Sequence, residues 1–244
     1  MRVAIMQPYL FPYLGYFQLL HCVDTFVLLD DVAFIKKGWI NRNLLLVNCA
    51  KYMFSIPLAG SSQNKLIMDT RLHSDARVRH KLLATIKQEY KATAEFDRVF
   101  PLVEYVLLSD EQDLTTVVQD SLQRINAHVD LPVSIIRSSA VAKDNNLAAQ
   151  ARILELCQCL GADEYVNLLG GTTLYSAAEF ARQGISLRFL RPTLVPYPQE
   201  CAPFVPGLSI IDVLMHNTPA QAQQMFQRAV LLEPMLASAF VRHF

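Results

Sequence analysis

The chain has 244 residues, of which 52% are hydrophobic and 18% are charged. This composition excludes an intrinsically disordered protein, and the length suits one large domain that buries its core without metal or disulfide cross-links. Lysine plus arginine and aspartate plus glutamate both number 22, so the net charge favours neither nucleic acid nor an anionic membrane. We therefore expect a single domain over residues 1–244 and no nucleic-acid partner.

The cysteines do not form a recognisable framework. They are five in number and scattered along the chain: Cys22, Cys49, Cys157, Cys159 and Cys201. Cys157 and Cys159 stand two apart in a helical pattern, so their side chains diverge and do not readily share a metal ion. We expect free, partly buried thiols in a reducing cytoplasm, and no metal site.

The sequence shows no recognisable targeting or membrane segment. The first residues lack the basic region and the small-residue cleavage site of a signal peptide. No apolar run approaches the roughly 20 residues that span a bilayer. The sequence thus predicts a soluble, cytoplasmic protein that does not insert into a membrane.

The first part of the chain alternates between strand and helix patterns. Residues 3–6 predict a short buried strand that ends before Pro8, and residues 15–22 have the apolar spacing of a helix. The run "TFVLLDD" is continuously apolar and closes on two aspartates, which is typical of a buried parallel strand. These elements predict a right-handed βαβ unit, and the apolar runs on either side of residues 48–51 predict a hairpin.

The remainder of the chain predicts further helices and strands. Helical spacing over residues 75–92, 96–108 and 114–129 indicates a helical lid or subdomain near 75–130. Strand patterns in "VSIIRSSAV", "EYVNLLGG" and "ISLRFLRPTL" alternate with helix patterns, and terminal helices are predicted in "LSIIDVLMHN" and over residues 219–231. The alternation predicts an α/β fold in which a Rossmann-like, mostly parallel sheet is flanked by helices.

The first strand runs into "MQPYLFPYLGYF", a segment that is rigid and rich in aromatic residues. Pro8 and Pro12 fix two backbone angles, and Gly15 permits a close approach or a left-handed turn where the helix begins. Such a strand-to-helix turn presents free backbone N–H groups to an anion, and Gln7 adds a neutral donor and acceptor. The alternative is a hydrophobic anchor that seals the sheet with aromatic rings. The rings concerned are Tyr9, Phe11, Tyr13 and Phe17.

The segment "DDVAFIKKGWINRN" collects acids, bases, amides and the only tryptophan after the second strand. These residues are Asp30, Asp31, Lys36, Lys37, Trp39, Asn41, Arg42 and Asn43. Arg42 can bind a carboxylate or phosphate through paired hydrogen bonds from its planar guanidinium, and a lysine can neutralise the charge of such an anion. Trp39 can stack on a sugar or base. Either aspartate could act as a base toward an amine or hydroxyl, and Lys37 is a further candidate catalytic residue. The alternative is a structural ion-pair network around a core tryptophan.

Two further loops are candidates for ligand contact. The loop "SSQNK" holds Gln63 and Lys65 and could close over a ligand, although its composition also suits a surface turn. In "NLLGGTTLY", Gly170 and Gly171 follow a strand and precede a helix, where their amides can face an anion; a plain glycine turn is the alternative. The chain has neither a full GxGxxG nor a P-loop lysine, and we predict no cofactor.

Hydrolase motifs are absent from the sequence. No GxSxG elbow occurs and no cysteine has a visible histidine partner, so a serine or cysteine hydrolase is poorly supported. The histidines also show no HExxH spacing. Asp212 precedes His216 by four residues in a predicted helix, so its carboxylate could orient the imidazole.

In this order, the segments resemble those of the WbqC-like family. The specific motifs are "MQPYLFPYLGYFQLL" and "DDVAFIKKGWINRN", and "IPLAGSSQNKLI", "YVNLLGGTTLY" and "LSIIDVLMHN" extend the match to residue 217. The resemblance implies a bacterial protein encoded among genes for O-antigen and other surface polysaccharides. It also implies a role in transferring glycine or another aminoacyl group to a sugar, and it brings no assigned catalytic residue with it.

By position, the resemblance implies a set of site residues. The recurrent polar residues of the family correspond here to Gln7, Pro8, Gly15, Tyr16, Asp30, Asp31, Lys37, Trp39, Arg42, Asn43, Gln63, Lys65, Asn167, Gly170, Gly171, Tyr175, Ser209 and Asp212. Residues 109–150 match little of the family's pattern, so their structure is predicted from periodicity alone.

The opening is also similar to the start of the HIGH-type nucleotidyltransferases, which hold nucleotide phosphates with histidines beside a glycine. The corresponding positions in this chain are Leu14 and Tyr16. Tyrosine is neutral at pH 7 and cannot offset developing phosphate charge as an imidazolium can. The loss of both imidazoles puts nucleotidyl transfer in doubt.

The main hypothesis is a transferase that acts on a sugar or nucleotide sugar in O-antigen or surface-polysaccharide synthesis. Its site would lie at the carboxyl ends of the parallel strands, with the N-terminal turn and residues 30–43 facing one crevice. The alternatives are a non-catalytic binding or assembly protein of the same pathway and a diverged nucleotidyltransferase. The expected partner is a small-molecule substrate, and the oligomeric state stays open.

Overall fold

Strands and helices alternate along the chain, and the structure, a computed structural model, describes residues 1–60 and 62–241. The strands are β1 (Arg2–Met6), β2 (Thr25–Leu28), β3 (Arg42–Val47), β4 (Ala50–Ser55), β5 (Leu58–Ala59), β6 (Arg71–Leu72), β7 (Ser134–Arg137), β8 (Glu164–Leu168), β9 (Ser186–Arg191) and β10 (Val230–Leu232). The α-helices are α1 (Leu14–His21), α2 (Arg77–Tyr90), α3 (Phe96–Leu108), α4 (Leu114–His128), α5 (Ala149–Cys159), α6 (Ala177–Arg182), α7 (Ile210–His216), α8 (Pro219–Phe226) and α9 (Pro234–Val241). Within the described residues, no helix has the length and apolar character needed to cross a membrane.

The main sheet has, in the described part of the chain, six strands in the spatial order β10-β9-β8-β1-β2-β7. Neighbouring strands run parallel except for β10, which is antiparallel to β9. If these six strands are numbered 1 to 6 in chain order, their spatial order from β7 to β10 is 3-2-1-4-5-6. This is the strand order of the doubly wound nucleotide-binding folds. The predicted Rossmann-like, mostly parallel sheet is confirmed. The strand order reverses between β1 and β8.

Alternate residues of the central strands enter two cores on opposite faces of the sheet. In β1, Ala4 points to one core, whereas Val3 and Ile5 point to the other. The first core also contains side chains of α1, α2, α3, α4, α7 and α8, and the second contains side chains of α5, α6 and α9. Because both faces are covered, the strands must be apolar on both sides, and this explains the continuous apolar run of β2.

Three helices, α2, α3 and α4, occupy the region that the sequence suggests as a lid or subdomain. Their buried side chains, such as Ile86, Val103 and Leu122, belong to the same core as those of α1 and α7. The helical content predicted for residues 75–130 is therefore confirmed, and a movement of these helices as a lid stays a prediction.

The hairpin and the C-terminal region show where local patterns succeed and fail. The predicted hairpin is formed by β3 and β4, and its turn places Asn48 and Cys49 at positive φ angles of 49° and 59°. The helix predicted over residues 219–231 is partly wrong, because α8 ends at Phe226 and β10 follows it. A three-residue strand is too short to show a period, and its pairing with the edge of β9 decides its structure.

The prediction of free thiols throughout is wrong for two of the cysteines. Cys49 and Cys201 form a disulfide with their Cα atoms 5.5 Å apart, while Cys22, Cys157 and Cys159 are free. The sequence could not reveal this pair, because 152 positions separate its members. The contact arises where the hairpin turn meets residues 192–206, a proline-rich connector that precedes α7.

Breaking this disulfide should destabilise the protein. The Cys201→Ser variant is expected to lose about 2–5 kcal/mol of unfolding free energy, because the bridge closes a long loop and so restricts the unfolded chain. Urea unfolding without reductant measures the loss, and Cys159→Ser, at an exposed free thiol, is the control that should change little. Titration of the denatured, unreduced wild-type protein should find three thiols. Finding all five reactive would contradict the pairing.

Candidate functional site

A cavity of about 680 Å³, the main cavity, opens where the strand order reverses. It is lined by Ile5 and Met6 at the end of β1, by Gln7 directly after them, and by Leu168 at the end of β8. Its volume lies within the roughly 300–1,000 Å³ that is typical of small-molecule sites. The main cavity therefore occupies the place where open α/β sheets bind ligands, beyond the carboxyl ends of parallel strands.

The main cavity collects residues from the opening loop, from the segment 30–43 and from the glycine loop after β8. The predicted site residues that line it are Gln7, Trp39, Asn43, Asn167, Gly170, Gly171 and Tyr175. The expectation that the N-terminal turn and the segment 30–43 face one crevice is confirmed, since Gln7 and Trp39 share its wall. Their contact with a substrate stays a prediction.

Buried hydrogen bonds hold the opening loop in position around the main cavity. The backbone oxygen of Phe11 accepts hydrogen bonds from Asn43 Nδ2 at 2.7 Å and from Ser209 Oγ at 2.8 Å. Phe11 has a φ angle of 45°, in the left-handed region that residues other than glycine rarely adopt. The N–H of Leu10 donates to the oxygen of Ile40 at 3.0 Å, which ties the loop to the neighbouring segment as well. The loop thus presents its side chains from a fixed backbone.

Three predicted site residues, Pro8, Gly15 and Tyr16, are buried and do not line the main cavity. A Cβ atom on Gly15 would lie 2.5 Å from Cε2 of Tyr13, so glycine is needed to leave room for the Tyr13 ring. Tyr16 Oη donates to the backbone oxygen of Gln7 at 3.0 Å. The prediction that these three residues contact a substrate is therefore corrected. They support the residues that form the cavity wall.

Several polar groups on the wall of the main cavity have no hydrogen-bond partner among the described residues. They are the side-chain amide of Gln7, the hydroxyls of Tyr9 and Tyr13, and the indole N–H of Trp39. Burial raises the pKa of Tyr9, and burial together with Tyr9 raises the pKa of Tyr13 to about 12, so both phenols are neutral at pH 7. Sequence reasoning considered the tyrosines only as anchors, although their place after a parallel strand could have suggested ligand contact.

The described lining of the main cavity is uncharged. Among the described residues, none with a charged side chain lines it. Asp30, predicted as a base, is fully buried, and its carboxylate accepts hydrogen bonds from Ser138 Oγ (3.1 Å) and from Ser139 N (3.0 Å) and Oγ (2.7 Å). These bonds connect the end of β2 to the turn after β7, so Asp30 is a cross-link and not an open base. The described chain also holds no group of three or more His, Cys, Asp or Glu placed to bind a metal ion.

Asp31 lines a second cavity, of about 440 Å³, which shares part of its wall with the main cavity. Its carboxylate lies 2.6 Å from Lys143 Nζ and 3.4 Å from Arg152 Nη1. Burial alone raises the pKa of Asp31, but hydrogen bonds from Lys143 and Ser138 and the charge of Arg152 outweigh burial and hold this pKa below its ordinary value. A carboxylate stabilised in this way is a weak base. The sequence did not indicate either cation, because both lie far from Asp31 along the chain.

The remaining predicted polar residues lie outside the main cavity. Lys37, Gln63 and Lys65 are exposed and do not line it. Ser61, in the same loop as Gln63, lies outside the described residues. The predicted roles of Lys37 in catalysis and of the "SSQNK" loop in covering a ligand have no support from their positions.

Arg42 is a cation in contact with Trp39 of the cavity wall. Its guanidinium stacks over the indole, with Cζ 5.5 Å from the ring centroid, and its Nε donates to a backbone oxygen at 2.7 Å. Its other N–H groups have no partner within the described part of the protein. Trp39 is 41% exposed and also lines the cavity, so Arg42 lies beside a residue of the cavity wall without lining the cavity itself.

The glycine loop after β8 packs against a buried chain of hydrogen bonds. Asn167 Nδ2 donates to Tyr165 Oη at 3.0 Å, and Tyr165 Oη lies 3.3 Å from Tyr175 Oη. A Cβ atom on Gly171 would lie 2.9 Å from Asn167 Nδ2, whereas one on Gly170 would meet nothing within 4 Å. Close packing therefore explains why residue 171 is a glycine. Gly170 is not constrained in this way and is free to face a ligand.

A further buried carboxylate, that of Asp212, fastens the proline-rich connector to α7. It accepts hydrogen bonds from Tyr90 Oη at 2.8 Å, from Gln199 Nε2 at 2.9 Å and from Tyr197 Oη. Burial, followed by the charge of Asp212, raises the pKa of both tyrosines. The predicted orientation of His216 by this carboxylate is corrected, because His216 Nδ1 lies 2.8 Å from the backbone oxygen of Asp212 and 4.0 Å from Oδ2.

The fold defines an α/β protein with a cavity of small-molecule size at its strand reversal. The model of the WbqC-like protein family matches residues 7–224, and the chain therefore belongs to this family. The chain is similar to the uncharacterized protein Rv1507c of Mycobacterium tuberculosis, with 25% identity over 226 residues that cover 91% of this chain and 95% of that protein. No solved structure matches the chain. The resemblance indicated by the sequence motifs is confirmed.

The two adjacent glycines of the loop after β8 should respond differently to alanine. Gly171→Ala is expected to lower the free energy of unfolding by about 1–3 kcal/mol, because the new methyl group overlaps Asn167. Gly170→Ala is the matched control and should be neutral or slightly stabilising, since its methyl group enters open space. Urea unfolding of both variants measures the difference, and equal stabilities would contradict the packing role of Gly171.

Removing the Asp31 carboxylate should destabilise the protein in a pH-dependent way. Asp31→Asn is expected to cost about 3–5 kcal/mol at pH 7, because Lys143 is left buried without its partner. The folded-state pKa of Asp31 is depressed, so its contribution is present above the unfolded-state pKa of about 3.9 and is lost as the pH falls through the lower folded-state value. The difference in unfolding free energy between the wild-type protein and the Asp31→Asn variant should therefore shrink below about pH 4.

Urea unfolding of the Asp31→Asn variant at a series of pH values tests this. The control is Asp120→Asn, which removes a half-exposed ion pair with Arg124 and should cost less than about 0.5 kcal/mol. A deficit for Asp31→Asn that is small at pH 7, or constant with pH, would contradict the assigned ion pairs.

Proposed function

We propose that this protein is a transferase that acts on a sugar or nucleotide sugar in the synthesis of a bacterial surface polysaccharide such as O-antigen. One observation carries the proposal: aromatic rings and neutral hydrogen-bonding groups converge on one cavity at the strand reversal of an α/β sheet. Membership of the WbqC-like family supports it, because the segments that resemble the family's motifs supply most of the cavity wall. The transferred group would be glycine or another aminoacyl group.

The two adjoining cavities suggest how two reactants could be arranged. In the main cavity, Trp39 offers a flat face on which a sugar ring can stack, and Gln7 can exchange hydrogen bonds with its hydroxyls. The second cavity shares Leu29, Leu174 and Tyr175 with the main cavity, so its occupant would meet the sugar at this common wall. Because the described lining of the main cavity carries no charge, transfer would depend chiefly on positioning of the reactants.

A non-catalytic binding protein of the same pathway is the second candidate. The uncharged lining and the fully hydrogen-bonded Asp30 favour it, since neither offers an open acid or base. The adjoining second cavity favours the transferase, because a transferase has to hold two reactants side by side. Nucleotidyl transfer has less support, as Leu14 and Tyr16 are buried outside the main cavity.

A turnover assay separates these candidates. Purified protein is incubated with nucleotide sugars and aminoacyl donors, and mass spectrometry is expected to detect a modified sugar. Trp39→Ala should lower the affinity for the sugar substrate about tenfold, because it removes the stacking face. Tyr52→Ala is the matched control, since Tyr52 is also 41% exposed but lies on the hairpin outside the cavity.

The possible outcomes of this assay have different meanings. Binding without turnover across the panel would favour the binding protein. Unchanged affinity in Trp39→Ala would exclude the main cavity as the site. Magnesium-dependent release of pyrophosphate from a nucleoside triphosphate would instead support nucleotidyl transfer.

A further inference from the structure

We propose that the main cavity accepts only the uncharged, hydroxyl-bearing ring of a sugar, and that the anionic part of the substrate stays at the cavity mouth beside Arg42. The inference rests on the proposed function, because it takes a sugar as the substrate, and it adds the class of sugar that the site selects. A neutral hexose is accepted, and a uronic acid, which carries a carboxylate on its ring, is rejected.

The first ground is the missing charge on the cavity wall. In the part of the chain that the structure describes, the lining contains no Asp, Glu, Lys, Arg or His. The neighbouring acids are engaged elsewhere, Asp30 with serines after β7 and Asp31 with Lys143. A carboxylate that entered this cavity would lose its water without gaining a cation, which carries a large free-energy penalty. A neutral ring would meet no such penalty.

The second ground is the chemistry of the groups that are left without partners. The amide of Gln7 can donate and accept, the hydroxyls of Tyr9 and Tyr13 can do the same, and the indole N–H of Trp39 can donate. Burial raises the pKa of both tyrosines, so they do not become anions near neutral pH. Sugar hydroxyls also donate and accept, and the indole face can cover the C–H surface of a ring. The lining therefore matches a ring with several hydroxyls.

The third ground is the position of Arg42. Its guanidinium lies on the indole of Trp39, 5.5 Å from the ring centroid, and its terminal N–H groups have no partner among residues 1–60 and 62–241. A planar fork of this kind binds phosphate or carboxylate oxygens through paired hydrogen bonds. Lys36 and Lys37 are exposed on the same segment, so the chain around Trp39 carries further positive charge. The anion is thus attracted to the mouth, while the interior stays neutral.

The fluorescence of Trp39 offers a direct test, because Trp39 is the only tryptophan of the chain and lines the main cavity. UDP-glucose and UDP-glucuronate serve as probes that differ by one carboxylate on the ring. Wild-type protein is expected to bind UDP-glucose at least about tenfold more tightly than UDP-glucuronate. Equal affinities or a preference for UDP-glucuronate would overturn the inference. So would the absence of a response both to UDP-glucose and to the methyl glycosides of glucose, galactose and mannose.

A gain of charge in the cavity gives a second test. Leu174 lines the cavity and is 64% exposed, so its substitution should leave the fold intact. Leu174→Arg is expected to raise the affinity for UDP-glucuronate about tenfold, because the new guanidinium pairs with the carboxylate. Leu174→Gln, the uncharged control, should leave the preference for UDP-glucose unchanged. An unaltered preference in Leu174→Arg would contradict selection by charge.

The location of the anion is tested separately. Arg42→Ala should weaken the binding of UDP-glucose and leave the binding of methyl glucoside unaffected. Lys65→Ala, at an exposed cation outside the cavity, is the control and should change the affinity for neither probe. If UDP alone displaces methyl glucoside from the cavity, the cavity takes the base and the inference fails. Selective binding of the neutral ring without any transfer product in mass spectrometry would keep this inference and reject the transferase.

Discussion

The main cavity depends on the backbone oxygen of Phe11. Asn43, at the start of the hairpin, and Ser209, at the start of α7, both donate hydrogen bonds to this oxygen, so three segments that are distant in the sequence meet behind one wall. Phe11 is fully buried and its φ angle lies in the left-handed region, which is strained for a residue other than glycine. Loss of either donor would weaken the hydrogen bonding of a buried carbonyl and the support of a strained turn. The two donors together therefore fix the shape of the loop behind the cavity wall.

A second constraint is the separation of charge from the cavity. Asp30 and Asp31 follow β2 directly, which is the place where catalytic acids often occur in parallel sheets. In this protein they instead bind the serines after β7 and the cations Lys143 and Arg152. The acids thereby join neighbouring strand ends, and the cavity between β1 and β8 is left with neutral groups only, as far as the described residues go. Under the proposed function, such a lining would select a sugar by its hydroxyl pattern and by ring stacking more than by charge.

The sheet order alone does not define an activity, because doubly wound folds support many different reactions. In nucleotide-binding members of this class, a glycine-rich turn after the first strand holds the phosphates. Here that turn is the aromatic, proline-containing segment "QPYLFPYLG", and it brings Tyr9 and Tyr13 to the cavity instead. The similar protein of Mycobacterium tuberculosis is itself uncharacterized, so the argument for function rests on the chemistry of the cavity.

The sequence by itself determined the fold class and the segments that build the site. Apolar runs in β1 and β2 follow from burial on both faces, and the carboxyl ends of parallel strands meet at one edge, which is why Gln7 and Trp39 could be expected together. Only the tertiary structure decided which polar residues face the cavity. Asp30 turned out to bind serines, and Cys49 to pair with Cys201, each with a partner more than a hundred positions away. Hydrophobic periodicity is a local property of the chain, whereas the partners of buried polar groups are set by packing between distant segments.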